Sequence, residues 1–187
     1  MSFNTIVIGA SAGGIDALTK LLTALKSDLK LAVIVVQHIS PYSDNFMVSH
    51  LNNICKLKVV EANEKDEIKS GTIYFAAPDY HLLVEEDKTF SLSAEEKVNF
   101  SRPSIDVLFE TAADVYGENL IGIILTGANK DGSEGLKTIK KNGGFTIVQD
   151  PKCAEVDTMP IVAINTVDVD KILNIKEISD FINGLDE

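Results

Sequence analysis

Short, nearly continuous apolar runs alternate along this chain with longer stretches of helical spacing. Residues 5–8 and 31–37 are buried-strand runs rich in Val and Ile. Between them Ile15, Leu18, Leu21, Leu22 and Leu25 repeat at the spacing of an amphipathic helix over residues 14–26. The pattern continues. Helical spacing is read at 45–53, 103–116, 132–141, 157–164 and 175–183, and strands at 57–60, 72–76, 120–125 and 145–149. Residues 81–85 and 88–93 flank the acidic turn Glu85-Glu86-Asp87 and read as a hairpin. Pro103 is expected to open its helix, and Asn142-Gly143-Gly144 to stop another. Strands that alternate with helices and are apolar on both faces predict an α/β fold. Its sheet is doubly wound and mostly parallel, with helices on both faces and an antiparallel hairpin added.

With 187 residues, no repeat and no Pro/Gly/Ser linker, residues 1–187 are expected to form one domain. The longest apolar run, Leu31 to Val36, is far short of the ~20 residues of a membrane span. The start shows no basic, apolar and cleavage-site succession of a signal peptide. A net charge of −11 and a single arginine, Arg102, argue against nucleic-acid binding, which needs clustered cations. Cys55 and Cys153 form no CxxC, so neither a disulfide framework nor a cysteine-based zinc site is expected, and the default location is the cytoplasm.

In such sheets ligands bind beyond the carboxyl ends of the strands. The first strand ends in Gly9-Ala10-Ser11-Ala12-Gly13-Gly14, a G-x-S-x-G turn between strand and helix. Such a turn exposes the Ser11 hydroxyl and sets backbone N–H groups at a helix N-terminus, where an oxyanion could be held. The same residues nearly match the dinucleotide fingerprint G-x-G-x-x-G, but no carboxylate follows at the end of the second strand, where Gln37-His38 stand. A nucleophile, a nucleotide site and a plain turn all remain open on these residues alone. His38 could deprotonate Ser11 or sit satisfied in a loop. Asp131 could orient His38 or simply cap a helix. The order Ser, His, Asp differs from that of α/β-hydrolases. Arg102 could bind a carboxylate or carbonyl of a substrate, or pair locally with Asp106. His50 and His81 carry no motif and read as structural, Asp16 as a helix-dipole residue, and Met159 and Pro160 as candidates to line the site.

These residues together resemble the catalytic domain of the chemotaxis receptor methylesterase family, CheB. The resemblance runs through Val7 to Gly14, Gln37-His38, Tyr74 to His81, Arg102-Pro103-Ser104-Ile105-Asp106, Leu125-Thr126-Gly127, Asp131-Gly132, Gly143-Gly144 and Gln149-Asp150. It implies hydrolysis of glutamate methyl esters on cytoplasmic helices of chemoreceptors, releasing methanol, and deamidation of glutamines there. It implies Ser11 as nucleophile, His38 as base and Asp131 as orienting carboxylate. Backbone around Ala12 and Ala128 would form the oxyanion site. No metal or organic cofactor is implied, and a monomer is the default. The family's receiver domain has no counterpart in the sequence, so a stand-alone enzyme is one expectation. The chain also departs from the family pattern. Ala12 stands for a usual threonine, Ser49-His50 where an arginine is usual, and Thr126-Gly127-Ala128-Asn129-Lys130-Asp131-Gly132 replaces T-G-M-G-x-D-G. If that second glycine needs a positive φ, Asn129 is its best substitute. The altered loop leaves room for a degenerate binding module as an alternative to an enzyme.

Overall fold

A computed structural model describes residues 3–40 and 46–185. Met1-Ser2 and the Pro41 to Asn45 stretch, including the expected start of the second helix, lie outside the described residues. Seven parallel strands form one sheet in the order β3-β4-β2-β1-β7-β8-β9. They are β1 (Thr5–Ala10), β2 (Ala32–Gln37), β3 (Lys58–Glu61), β4 (Thr72–Phe75), β7 (Leu120–Ile124), β8 (Phe145–Gln149) and β9 (Lys171–Leu173). A separate antiparallel pair, β5 (His81–Val84) and β6 (Phe90–Ser93), is the expected hairpin. The described residues also form six α-helices: α1 (Gly14–Thr23), α2 (Phe46–Ile54), α3 (Ile105–Tyr116), α4 (Ser133–Lys141), α5 (Thr158–Thr166) and α6 (Ile175–Asn183).

The central strands are buried along their whole length, because successive side chains enter two different cores. Ile6, Ile8, Val33 and Val35 pack on one face with Leu18, Leu21 and Leu22 of α1 and Ile178 and Ile182 of α6. Val7, Ile34 and Val36 pack on the other with Leu108 and Phe109 of α3 and Leu136 and Ile139 of α4. The hairpin adds Leu82, Val84 and Phe90 to that second core. The expected doubly wound fold is therefore observed, and its cause is alternating burial on both faces of the sheet.

Some boundaries differ. Helix α1 stops at Thr23, although the apolar spacing runs on to a buried Leu25. Ala24 and Leu25 donate to Leu21 and Leu22, the tighter i to i−3 bonds of a closing turn. Pro103 does not open α3. Ser104 is its N-cap and Ile105 its first residue. Strand β9 was not expected, since three residues with two exposed carry no readable period. The stop after α4 falls at Asn142, with Gly143 at φ 86°.

Strand β1 is the switch point of the sheet. It pairs with β2 on one side and β7 on the other, and the chain leaves toward opposite faces from β1 and β7. The carboxyl ends of these three strands carry Ser11, His38 and the loop to Asp131.

Candidate active site

The turn after β1 is pinned from several sides. The Ser11 N–H donates to Thr126 O at 3.0 Å, and Thr126 Oγ1 donates back to Ala12 O at 2.8 Å. Gly13 takes φ 76°, a conformation that disfavours a side chain, and a Cβ there would press on Glu155. Gly127 is equally confined: a Cβ would lie 2.9 Å from Ser11 Cβ and overlap Met159 Sδ. The second turn thus closes on the Ser11 side chain because Gly127 has none, and Gly13 leaves room for Glu155. Ser11 is half-buried, and its hydroxyl has no hydrogen-bond partner among the described residues.

Residue Ala10 pairs with Gln37, and the His38 N–H donates to Ala10 O at 3.0 Å, so His38 follows directly beside the serine turn. The amide of buried Gln37 reaches across, Nε2 donating at 2.9 Å to both Ser11 O and His38 O. Its Oε1 lies without a partner against Gly14, where a Cβ would clash with it. Ser11, His38, Ala12 and Ile15 line one open cleft, with Asp16 and Glu155 at its side.

Buried Asp131 meets His38 in a hydrogen bond of 2.9 Å between Nε2 and Oδ2. It does cap a helix, but not its own. Oδ2 accepts from Ile105 N at 2.6 Å, and Oδ1 from Asp106 N at 3.2 Å and Ser104 Oγ at 2.8 Å, all at the start of α3. Burial pushes this carboxyl up, but bonds from His38, the Ile105 N–H and Asn99 outweigh burial and hold it below the usual carboxylate range. The helix N-terminus adds to that preference for the anion.

Asp106 stands behind it and shows the opposite shift. Burial raises its pKa to about 6 against the hydrogen bond from Gly135 N, and the Asp131 charge raises it further. Asn99 Nδ2 joins the two, at 2.8 Å from Asp106 Oδ2 and 3.0 Å from Asp131 Oδ1.

The remaining candidates fall as follows. Ala12 and Ala128 are exposed in the two turns, and their N–H groups make no hydrogen bond among the described residues. Arg102 is not paired with Asp106, because that carboxylate is turned inward to Asn99 and α4. Its Nε and Nη2 donate to Asp79, at 3.2 and 2.8 Å, and its Nη1 to Ala94 O and Glu95 O. It still borders a groove with His38, Lys97 and Phe100. His81 is structural: Nδ1 accepts from Ser104 N and Nε2 bonds Glu96 O. His50 stacks on Phe46, and Asp16 pairs with Lys20. Met159 backs Gly127 as a buried residue. Asn129 does not take a positive φ. Its side chain bonds Asp131 N and His38 Nδ1 instead. Among the described residues no group of three His, Cys, Asp or Glu could hold a metal.

Sequence reasoning missed Asn99 and gave Gln37 no role. A lone asparagine in a loop has no pattern, and its partners lie in other segments.

The chain is similar to known proteins over its whole length. A Leptospira interrogans protein named for protein-glutamate methylesterase and protein-glutamine glutaminase is 52% identical over 187 residues, covering 100% of this chain and 97% of the relative. A protein of the same name from Pyrococcus horikoshii is 35% identical over 176 residues, 92% of this chain but 48% of the relative. The crystal structure of the Thermotoga maritima CheB methylesterase catalytic domain superposes with a TM-score of 0.93 at 32% identity, covering 99% of this chain and 100% of that one. The sequence profile of the CheB methylesterase family matches residues 6–182, and the chain belongs to that family.

Proposed function

We propose that this chain is a serine-type hydrolase of protein glutamate methyl esters that also deamidates protein glutamines. The 1–187 chain acts as one catalytic domain, as a monomer in the cytoplasm. Its substrates are methylated helices of chemoreceptor cytoplasmic regions. The single observation that carries this assignment is a histidine bonded to a buried, anionic aspartate, in one cleft with an unpartnered serine hydroxyl.

The chemistry follows from which imidazole nitrogen is engaged. Asp131 uses Nε2, so Nδ1 of His38 takes the Ser11 proton as Oγ attacks the side-chain carbonyl. The oxyanion that forms meets the unpaired N–H groups of Ala12 and Ala128 near the N-terminus of α1. The imidazolium, stabilised by Asp131, returns its proton to the departing methoxide, and methanol leaves. With a glutamine side chain, ammonia leaves instead. Water, deprotonated by His38, then cleaves the acyl-enzyme and frees a glutamate carboxylate. Side chains and backbone suffice for every step.

Methanol release from a methylated receptor fragment tests the assignment, with Ser11→Ala beside the wild type. The serine variant should lose on the order of 10⁴-fold in kcat. Turnover near wild type in that variant would overturn the mechanism. A second function is that of a receptor-helix binding module without turnover, favoured by the absence of a Ser11–His38 hydrogen bond among the described residues. Covalent labelling of Ser11 by a fluorophosphonate separates the two.

A further inference from the structure

We infer that Asn129 is a positioning residue that sets the tautomer of His38 and occupies its basic nitrogen until substrate arrives. This inference rests on the proposed roles of Ser11 and His38, and it goes beyond them.

The hydrogen bonds determine every donor in the chain of contacts. The Asp131 backbone N–H can only donate, and it donates to Asn129 Oδ1 at 3.0 Å. The other end of that amide is therefore Nδ2, a donor, and it points at His38 Nδ1 at 3.1 Å. Nδ1 must then be the acceptor, which leaves the ring proton on Nε2, directed at Asp131 Oδ2. The imidazole is held between a carboxylate and an amide that are two residues apart in one loop. A glycine at position 129, the family's usual residue, has no side chain to do this.

The consequence is a competition at one lone pair. Ser11 Oγ needs Nδ1 to lose its proton, yet Nδ1 already holds the Asn129 N–H, and Ser11 Oγ has no partner among the described residues. Attack requires an exchange: the Nδ2–H of Asn129 withdraws, and the Oγ–H of Ser11 replaces it. The proton then moves from Oγ to Nδ1 as the new C–O bond forms. A proton arriving at Nδ1 must displace the Asn129 N–H, so the contact restrains the base until that exchange occurs. The charged groups around the ring are Asp131, then Lys97 and Arg102 along the groove before α3, and Asp16 and Glu155 across the cleft. None of these changes in an Asn129 variant.

Two readouts on the folded chain test the inference: ring ¹⁵N spectra of His38, and the rate of Ser11 labelling by a fluorophosphonate across pH. The wild-type neutral ring should show the Nε2–H tautomer. In Asn129→Gly the Nδ1 signal should move downfield as its donor is lost. Labelling at high pH should accelerate by roughly 3- to 10-fold, the worth of one neutral hydrogen bond. The acid limb of the rate should also move to higher pH. Asn129→Asp keeps an acceptor for the Asp131 N–H but removes the donor and adds an anion beside Nδ1. It should label more slowly at neutral pH and move the acid limb further up. A merely structural asparagine would slow both variants and leave the limb in place, and that result overturns the inference. An unmoved Nδ1 signal in a folded Asn129→Gly chain also overturns it. If Ser11 failed to label even in the wild type, the proposed function would fall, while the ring spectra would still decide the Asn129 contact.

Discussion

The carboxylates of Asp106 and Asp131 share one amide, Asn99 Nδ2, at 2.8 and 3.0 Å. Two buried acids of like charge are thereby held side by side with a donor between them. The pair divides its titration, Asp131 staying ionised below the usual range while Asp106 rises to about 6. The asymmetry suits a site in which one carboxylate must face an imidazolium.

Removing that amide should therefore damage catalysis more than substrate binding. Asn99→Ala leaves both carboxylates short of a donor and frees Asp131 to tilt. The expected result is a roughly 10-fold lower kcat at little changed KM, with about 1–2 kcal/mol lost in urea unfolding. Asn99→Asp, which adds a third acid, should be worse on both counts. An unchanged kcat in a folded Asn99→Ala chain would remove Asn99 from the site.

Stability should carry the signature of Asp106. Its pKa in the folded chain, about 6, lies above the ordinary 3.8. A raised carboxyl favours folding below its unfolded value, and that contribution is lost as pH rises through about 6. Asp131 runs the other way: its depressed carboxyl favours folding above the unfolded value and loses that only in stronger acid. Between pH 4 and 7, wild type should therefore lose stability relative to Asp106→Asn, on the order of 1–2 kcal/mol. Unfolding free energies at several pH values check the slope. A constant difference between the two proteins would contradict it.

Gln37 should matter through the spacing of Ser11 and His38. Its Nε2 holds the carbonyls of both residues at 2.9 Å. Gln37→Ala strands two carbonyls and should cost about 1–3 kcal/mol of stability. Ser11 labelling should slow by more than that loss of folded protein explains. Gln37→Glu would aim a carboxylate at the same two oxygens and should be the more severe change. Equal labelling rates in folded Gln37→Ala and wild type would make Gln37 a packing residue only.

Arg102 makes a different expectation from the one its motif suggests. Its fork is already occupied by Asp79 and by the carbonyls of Ala94 and Glu95. Arg102→Lys cannot reproduce that geometry. A loss of about 1 kcal/mol or less is expected, since the Asp79 carboxylate is half-exposed. Ser11 labelling by a small probe should be nearly unchanged. A large rise in KM for receptor fragments with unchanged Tm would instead give Arg102 a direct role in binding substrate.

The parts of this chain legible in sequence are those with a local cause. The period of apolar residues located α6 to the residue and the core strands to within one or two. Burial on both faces implied the parallel sheet. Glycines around Ser11 marked a turn that must be tight. Where local cues were thin the expectations slipped: β9 was too short to show a period, and α3 begins at Ile105 because Ser104, not Pro103, supplies the cap.

The sequence by itself thus determined the layered architecture, the three strand ends and, through the similarity of its motifs, the family. Each follows from residues near one another in the chain or from their ordered match. Only the tertiary structure decided what those strand ends do to each other. His38 and Asp131 are 93 residues apart, and Asp131 rests on the N-terminus of α3 rather than of its own helix. The amides of Gln37, Asn99 and Asn129 acquire their partners only when turns from distant segments are packed together. A hydrogen bond acts over about 3 Å, and which groups come within that range is settled by the packing of the sheet and its two cores, not by local sequence.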